Sequence, residues 1–401
     1  MAQFKKIWSS YTGTAVNFFL LLLPGAISAL LIFFISSNRL FSGNKDYTLS
    51  LLNFYQLQML GITVAKYGID QIVISRLHPG HRTDTSTFFM QRVFPLTLLF
   101  CVIIGFIKGL GYAVFLGLII PMEIMSILIT VEWSVSNKIK LASLLTLLGN
   151  PLAFILSYIV YKQNYLSVNM MFTCFLFSSL IRITLALFFR NKGSKIKIAI
   201  LSYHVPLQQI GNYFMFRSDQ VIIAMGLTIS FFGNKTLITN YLFLAKFPEV
   251  ASGIIVTLAP ILYRRMGDQS GASLKKLFSD KLFILISVCI CLSQFIVSLF
   301  LFKPHNVDYN ILLFLSFVLS SLLILPANLV TYVLLKNAAV SKINILNLIS
   351  CTIGLLIFGL VLFCNNIYIF SLVVPVQLLV YIFLFRFLYS KKDIDQPLYA
   401  V

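Results

Sequence analysis

Charge is what this chain lacks most. Only 11% of its 401 residues are Asp, Glu, Lys or Arg, and just 12 are acidic. A soluble globule carries roughly 25% charged residues. At 59% hydrophobic residues the chain holds more hydrocarbon than one core can hide, so its outer surface must face lipid. Histidine is scarce: His78 and His81 flank Pro-Gly in a loop, and His204 and His305 stand alone. That excludes a His-built metal centre or a His-based catalytic site. The six cysteines, Cys101, Cys174, Cys289, Cys291, Cys351 and Cys364, lie in or beside apolar runs without zinc-type spacing. Cys289 and Cys291 are two apart, which points them to different sides of a helix. All six read as packing residues, and neither a metal nor a cofactor is expected. Long polar stretches are missing too, which leaves no room for a soluble catalytic domain on either side of a membrane. The chain does not read as an enzyme.

What is present is a succession of apolar windows of around 20 residues, the length that crosses a bilayer as helix. In the first half they run Gly13 to Ile35, Tyr47 to Lys66, Phe88 to Ile107, Gly109 to Val131, Ala142 to Tyr161, and Val168 to Phe189. In the second half they run Pro206 to Leu227, Leu237 to Leu262, Leu282 to Phe302, Ile311 to Val333, Ile343 to Phe363, and Ile367 to Leu388. The second window is the weakest, since Gln56, Gln58 and Lys66 interrupt it. The start, Met-Ala-Gln-Phe-Lys-Lys, leads into a long apolar run without a small-residue cleavage site, which reads as a retained first helix. The predicted fold is an all-α polytopic membrane protein of about twelve transmembrane helices. The Lys-rich connection from Arg190 to His204 divides it into an N-terminal six-helix bundle, 1–197, and a C-terminal one, 198–401.

The net charge of +19 could suggest nucleic acid, but the basic residues fall in short clusters between apolar runs rather than on one face. They fit the positive-inside rule instead. With the N-terminus in the cytoplasm, the outer side holds only Arg39, Lys45, Lys108, Lys162, Lys235 and Lys303. Every cytoplasmic connection is basic, from Arg76, Arg82 and Arg92 through Arg190, Lys192, Lys195 and Lys197 to Arg264, Arg265, Lys275 and Lys276. This predicts both termini in the cytoplasm, with the chain as a multi-pass membrane protein.

Ionisable residues near the middle of a span cost about 2.5–3.5 kcal/mol each on insertion scales, so each asks for a reason. The candidates are Lys66, Glu123, Arg182, Arg217, Asp219, Lys246 and Glu249. At about 100° per residue, Gln208, Asn212 and Asp219 share one face of the seventh span and Arg217 projects from nearly the opposite one. Lys246 and Glu249 are three apart and can pair. Arg182 has no acid nearby in sequence, and Glu123 no base. Each charge either pairs with a neighbouring helix or lines a solvated pathway; Lys66 can also snorkel to the cytoplasmic surface. Prolines within spans, among them Pro24, Pro121, Pro151, Pro248 and Pro326, favour kinks.

The layout resembles the Wzx-type O-antigen flippases of the multidrug/oligosaccharidyl-lipid/polysaccharide exporter superfamily. The local likeness lies in Ala65-Lys66-Tyr67-Gly68-Ile69-Asp70-Gln71 leading to Arg76, and in Arg217-Ser218-Asp219-Gln220-Val221-Ile222-Ile223. It continues in the run from Tyr241 to Glu249 that ends at Pro260-Ile261-Leu262-Tyr263-Arg264-Arg265. The resemblance implies two six-helix bundles around a central cavity. It implies transport of an undecaprenyl-diphosphate-linked oligosaccharide across the membrane, with membrane lipids, a polysaccharide polymerase and a chain-length regulator as partners and no nucleic acid. Arg182, Arg217, Lys246 and Lys66 are then the substrate-binding candidates. Asp219, Glu249 and Glu123 are the ion-coupling candidates, with proton and sodium both open.

Two other readings stand beside it. A drug or small-molecule exporter of the same superfamily would share the fold; exporters of organic cations favour an acidic site, whereas here Arg182, Arg217 and Lys246 stand beside the acids. A polysaccharide polymerase would need a large outer loop, and the outer loops are short. The orientation is testable on its own. Cysteines introduced by Asn44→Cys, Asn164→Cys or Asn306→Cys should label from the periplasm, and those from Ser194→Cys or Ser270→Cys should not. Labelling of Ser194→Cys from outside would overturn it.

Overall fold

The computed structural model of the chain describes residues 44–69, 81–136, 138–163, 167–190, 193–197, 204–225, 235–248, 281–302, 311–336, 340–364 and 366–388, with isolated residues between 20 and 41. Contacts divide the chain into two compact units, Met1–Ser202 and Tyr203–Val401. The first expected span, Gly13 to Ile35, and the later part of the eighth, up to Leu262, lie largely outside the described residues. Among the described residues seven helices are long and apolar enough to cross a bilayer.

In the first unit, α1 (Lys45–Ala65) opens where the Asn44 side chain accepts the Tyr47 amide at 3.0 Å, an N-cap. Asn53, Gln56 and Gln58 of α1 are buried in the protein, where lipid cannot reach them. α2 (Ser86–Lys108) and α3 (Leu110–Val135) form a hairpin. Gly109 turns it at φ +95°, a conformation that a side chain would strain. The outward row of α2 runs through Met90, Phe94 and Leu98 to Phe106, which is 88% exposed and belongs against acyl chains, not water. α3 packs on α1, α2 and α6 (Val168–Phe188) and forms the middle of the unit.

The fifth span, Ile139–Lys162, crosses as one apolar stretch but is interrupted at Leu148 and Gly149, which divide it into α4 (Ile139–Leu147) and α5 (Asn150–Lys162). Pro151 stands in the first turn of α5 and has no amide hydrogen to return to α4, so the helical ladder stops at Leu148 and Gly149. The Ser178 hydroxyl of α6 lies 2.6 Å from the Leu148 carbonyl and 2.7 Å from the Gly149 carbonyl and shares its one proton between them; the Gly149 carbonyl also accepts the Ala153 amide at 3.2 Å. Such substitution for the lost bonds is what allows a break inside hydrocarbon.

Both ends of this unit are tied. At one, Phe41, Tyr47, Tyr158 and Tyr161 cluster, with Phe41 and Tyr161 ring centres 4.9 Å apart. Aromatic girdles of this kind sit at membrane interfaces. At the other lies an element absent from the all-helical expectation: β1 (Arg82–Asp84) pairs in parallel with β2 (Lys195–Lys197). Glu132, fully buried at the end of α3, holds it. Its carboxylate accepts from Arg190 Nη2 at 2.7 Å, Arg190 Nε at 3.0 Å and the Thr83 amide at 2.9 Å. Arg190 also donates to the Thr83 carbonyl at 2.9 Å.

The second unit contains α7 (His204–Ala224), α8 (Lys235–Leu244), α9 (Lys281–Phe302), α10 (Ile311–Lys336), α11 (Val340–Cys364), α12 (Ile367–Ser371) and α13 (Val373–Leu388). α13 packs on α7, α10 and α11. Side-chain hydrogen bonds join these helices, Thr331 to Tyr381 at 2.9 Å and Gln294 to Ser321. The last expected span is divided at Leu372, with Pro375 in the first turn of α13, where proline is tolerated.

The Glu132 clamp yields a stability prediction. Glu132→Leu strands the Arg190 guanidinium and should cost about 3–5 kcal/mol. Arg190→Lys keeps the charge without the planar fork and should cost less. Thermal unfolding of the purified protein in nanodiscs reads both, and an unchanged midpoint for Glu132→Leu would show that the clamp holds nothing.

Candidate functional site

Two buried polar clusters stand out, one within each unit. In the first, Glu123 of α3 and Arg182 of α6 are 2% and 6% exposed. Arg182 Nη1 donates to Glu123 Oε2 in an ion pair, and the Ser179 hydroxyl donates to the other carboxylate oxygen at 2.6 Å. The pair joins two residues that looked solitary in sequence. It also sits at the α4–α5 break. Ser178, which caps the break, is one turn from Arg182 on α6, and a Cβ at Gly149 would lie only 3.0 Å from Arg182 Nη1. Gly149 therefore gives the guanidinium its place. Arg182 Nε has no acceptor among the described residues. Chemically this is a guanidinium whose charge is cancelled by one carboxylate and whose donors are not all used. Loss of the Glu123 charge would present it to another oxyanion.

In the second unit, Asp219 and Gln220 of α7 meet Tyr241 of α8 and the following Lys246, all of them buried. The Tyr241 hydroxyl donates to Asp219 Oδ2 at 2.6 Å, and the Gln220 amide donates to Asp219 Oδ1 at 2.8 Å. Lys246 Nζ donates to the Gln220 side-chain carbonyl at 2.9 Å. Glu249, the expected partner of Lys246, lies outside the described residues.

The expected polar stripe of the seventh span is not one surface. Arg217 has non-helical torsions, φ −142° and ψ 16°, so α7 kinks there and the phase of its two stretches differs. Before the kink, Asn212 accepts from the Asn347 amide of α11 at 2.9 Å. After it, Asp219 accepts from Tyr241 of α8. The angular arithmetic assumed an unbroken helix. Arg217 itself lies over the Tyr213 ring, 5.3 Å from its centre. Lys66 ends α1, half-buried, followed by Tyr67 at φ +51° beneath the Arg92 guanidinium.

The structure thus brings Glu123 to Arg182, and Asp219 into one cluster with Lys246, and leaves Arg217 and Lys66 at other points of their helices. Ser179 and Gly149 were not singled out in sequence, and Gln220 and Tyr241 stood there only within the runs that carry the resemblance. Gly149-Asn150-Pro151 was the one available signal, because it breaks a span. Among the described residues no three His, Cys, Asp or Glu side chains gather as a metal site would require.

No family model matches the sequence, and no curated protein matches it. Solved structures do resemble it in outline. A MATE protein in complex with Br-NRF aligns over 95% of this chain and 96% of its own, at TM-score 0.47 and 11% identity. An outward-facing multidrug resistance MATE family transporter of the MOP superfamily aligns over 94% of this chain and 96% of its own, at TM-score 0.48 and 12% identity. A MATE protein in complex with MaL6 aligns over the same shares, at TM-score 0.49 and 10% identity.

Proposed function

We propose that this protein is a flippase that carries undecaprenyl-diphosphate-linked O-antigen repeat units from the cytoplasmic to the periplasmic leaflet by alternating access. The observation that carries the reading is the Glu123–Arg182 pair at the Gly149 break, a cation deep in a span with donors in reserve. The cargo has a polar saccharide and an anionic diphosphate, and hydrocarbon offers neither any partner. Arg182 meets phosphate oxygens in a planar fork, which suits it better than lysine. Glu123 cancels Arg182 at rest, so the cation is not bare in the membrane without cargo. Protonation or withdrawal of Glu123 frees the guanidinium for the diphosphate, and departure of the diphosphate restores the pair. Glu123 is then the coupling acid of the first unit, and Asp219 with Lys246 the matching acid and base of the second. An inside-negative potential assists outward movement of the anion by about 2.3 kcal/mol per charge per 100 mV.

Polymer display in a flippase-deficient strain tests this, with membrane abundance as control. Arg182→Lys should lower display several-fold at normal abundance, in line with the loss of a bidentate contact of roughly 1–2 kcal/mol. Arg182→Ala should approach background. The double variant Glu123→Leu with Arg182→Leu removes both charges; it should recover abundance but not display. Wild-type display from the double variant would reduce the pair to a helix contact and remove Arg182 from the cargo path.

A further inference from the structure

The β1–β2 ribbon has a second face. Thr83 is buried and turned inward to Glu132. Strand side chains alternate, so Arg82 and Asp84, both half-buried, point the other way. In the parallel register Arg82 stands opposite Lys195, and Asp84 opposite Lys197. Neighbouring strands lie roughly 4.8 Å apart, which sets Arg82 and the exposed Lys195 side by side as two cations on one face. Like charges directly opposite destabilise a pair of strands. The register holds nonetheless, because Glu132 and Arg190 grip Thr83 from the inner side.

The charge on the outer face is not balanced. Among the described residues no carboxylate pairs with Arg82, and its Nε is buried without an acceptor. Asp84, the acid of the ribbon, turns Oδ1 to the start of α2, where it accepts from the Ser86 hydroxyl at 2.9 Å and the Ser86 amide at 3.4 Å. Glu132 is spent on Arg190. Among the described residues these two are the only acids at this end of the unit, against Arg82, Arg92, Lys138, Lys140 and Lys195 besides Arg190. Arg92 lies over the Tyr67 ring, and its Nε also has no acceptor.

Depth selects the anion that fits. α2 begins at Ser86, and its lipid-facing row starts at Met90, 69% exposed and about one turn, roughly 6 Å, further on. The ribbon therefore stands at the level of lipid headgroups. A phosphodiester there has oxygens for two cations at once, and its acyl chains can follow the row from Met90 through Phe94 to Leu98. We propose that the outer face of the ribbon binds the phosphate headgroup of an anionic phospholipid, which bridges Arg82 and Lys195 and offsets their repulsion. The headgroup fastens β2, the last described element before the first unit ends at Ser202, to β1. This site is separate from Arg182 and independent of any cargo.

Native mass spectrometry of the full-length protein, from micelles holding equal phosphatidylglycerol and phosphatidylcholine, reads which lipid is retained. Thermal unfolding in nanodiscs of either lipid reads the effect of retention and checks that each variant folds. Arg82→Gln and Lys195→Gln each remove one cation of the pair; Lys140→Gln removes one exposed charge at the same end and is the charge-matched control. The wild type should retain phosphatidylglycerol over phosphatidylcholine. Both ribbon variants should weaken that retention about tenfold, as for one lost charge-assisted contact, and Lys140→Gln should leave it within about twofold. Unfolding adds a change of sign. Lys195→Gln should raise the midpoint in phosphatidylcholine, where the repulsion stands unrelieved, and lower it in phosphatidylglycerol. Equal losses in all three variants would assign the preference to net charge and overturn the site, as would unchanged retention in the ribbon variants. Inorganic phosphate is the last probe. If it protects the wild type in phosphatidylcholine nanodiscs as well as phosphatidylglycerol does, the lipid is overturned as the occupant.

Discussion

The interior of a bilayer offers no water, so a polar group placed there must find its partner inside the protein. The described charges obey this constraint through different chemistry in each place. Glu123 and Arg182 neutralise one another. Glu132 and Arg190 do so with Thr83 added. Asp219 is held by a tyrosine hydroxyl and Lys246 by an amide carbonyl. The helix contacts follow from these pairings as much as from the hydrocarbon between them. α3 and α6 are joined by the Glu123–Arg182 pair, and α7 and α8 by Asp219 and Tyr241. Lipid tails are as apolar as leucine, so little hydrophobic force selects one helix neighbour over another in a membrane, and polar contacts do part of that selecting.

The departures from regular helix lie at the same places. The span that breaks at Gly149 does so beside Arg182, and α7 kinks at Arg217, two residues before Asp219. A break frees backbone groups and makes room for a side chain that an unbroken helix would exclude. Beside Gly149 the Leu148 carbonyl is taken by Ser178 and the room by the guanidinium. The second unit makes room in another way: glycines at 211 and 354 admit the amides of Asn347 and Gln377 from neighbouring helices. Charged groups gather at the broken helix and at the kink, while uncharged amides take the glycine notches.

Span positions were legible in the sequence because an apolar run of about 20 residues has few other uses. α3, α6, α9, α10 and α11 lie close to where those runs fall. Partners were not legible. Helical spacing reveals neighbours three or four residues away, whereas Arg182 finds its acid 59 residues off and Lys246 its acceptor 26 off. Pro151 announced a bend, but Ser178, which makes the bend tolerable, reads in sequence as one more small residue. The parallel contact of β1 and β2 was hidden for the same reason: three residues on each side carry no pattern, and the buried carboxylate that anchors them belongs to a third segment.

We propose that the buried cation of the first unit moves an anionic lipid-linked saccharide across the bilayer. The most direct measurement is translocation of a fluorescent undecaprenyl-diphosphate-linked saccharide in proteoliposomes of purified protein, read by quenching of the outer leaflet. Wild-type vesicles should protect or expose label faster than empty ones, and the rate should collapse in Arg182→Ala vesicles of equal protein content. Equal rates in wild-type and empty vesicles, or in wild-type and Arg182→Ala vesicles, would contradict it.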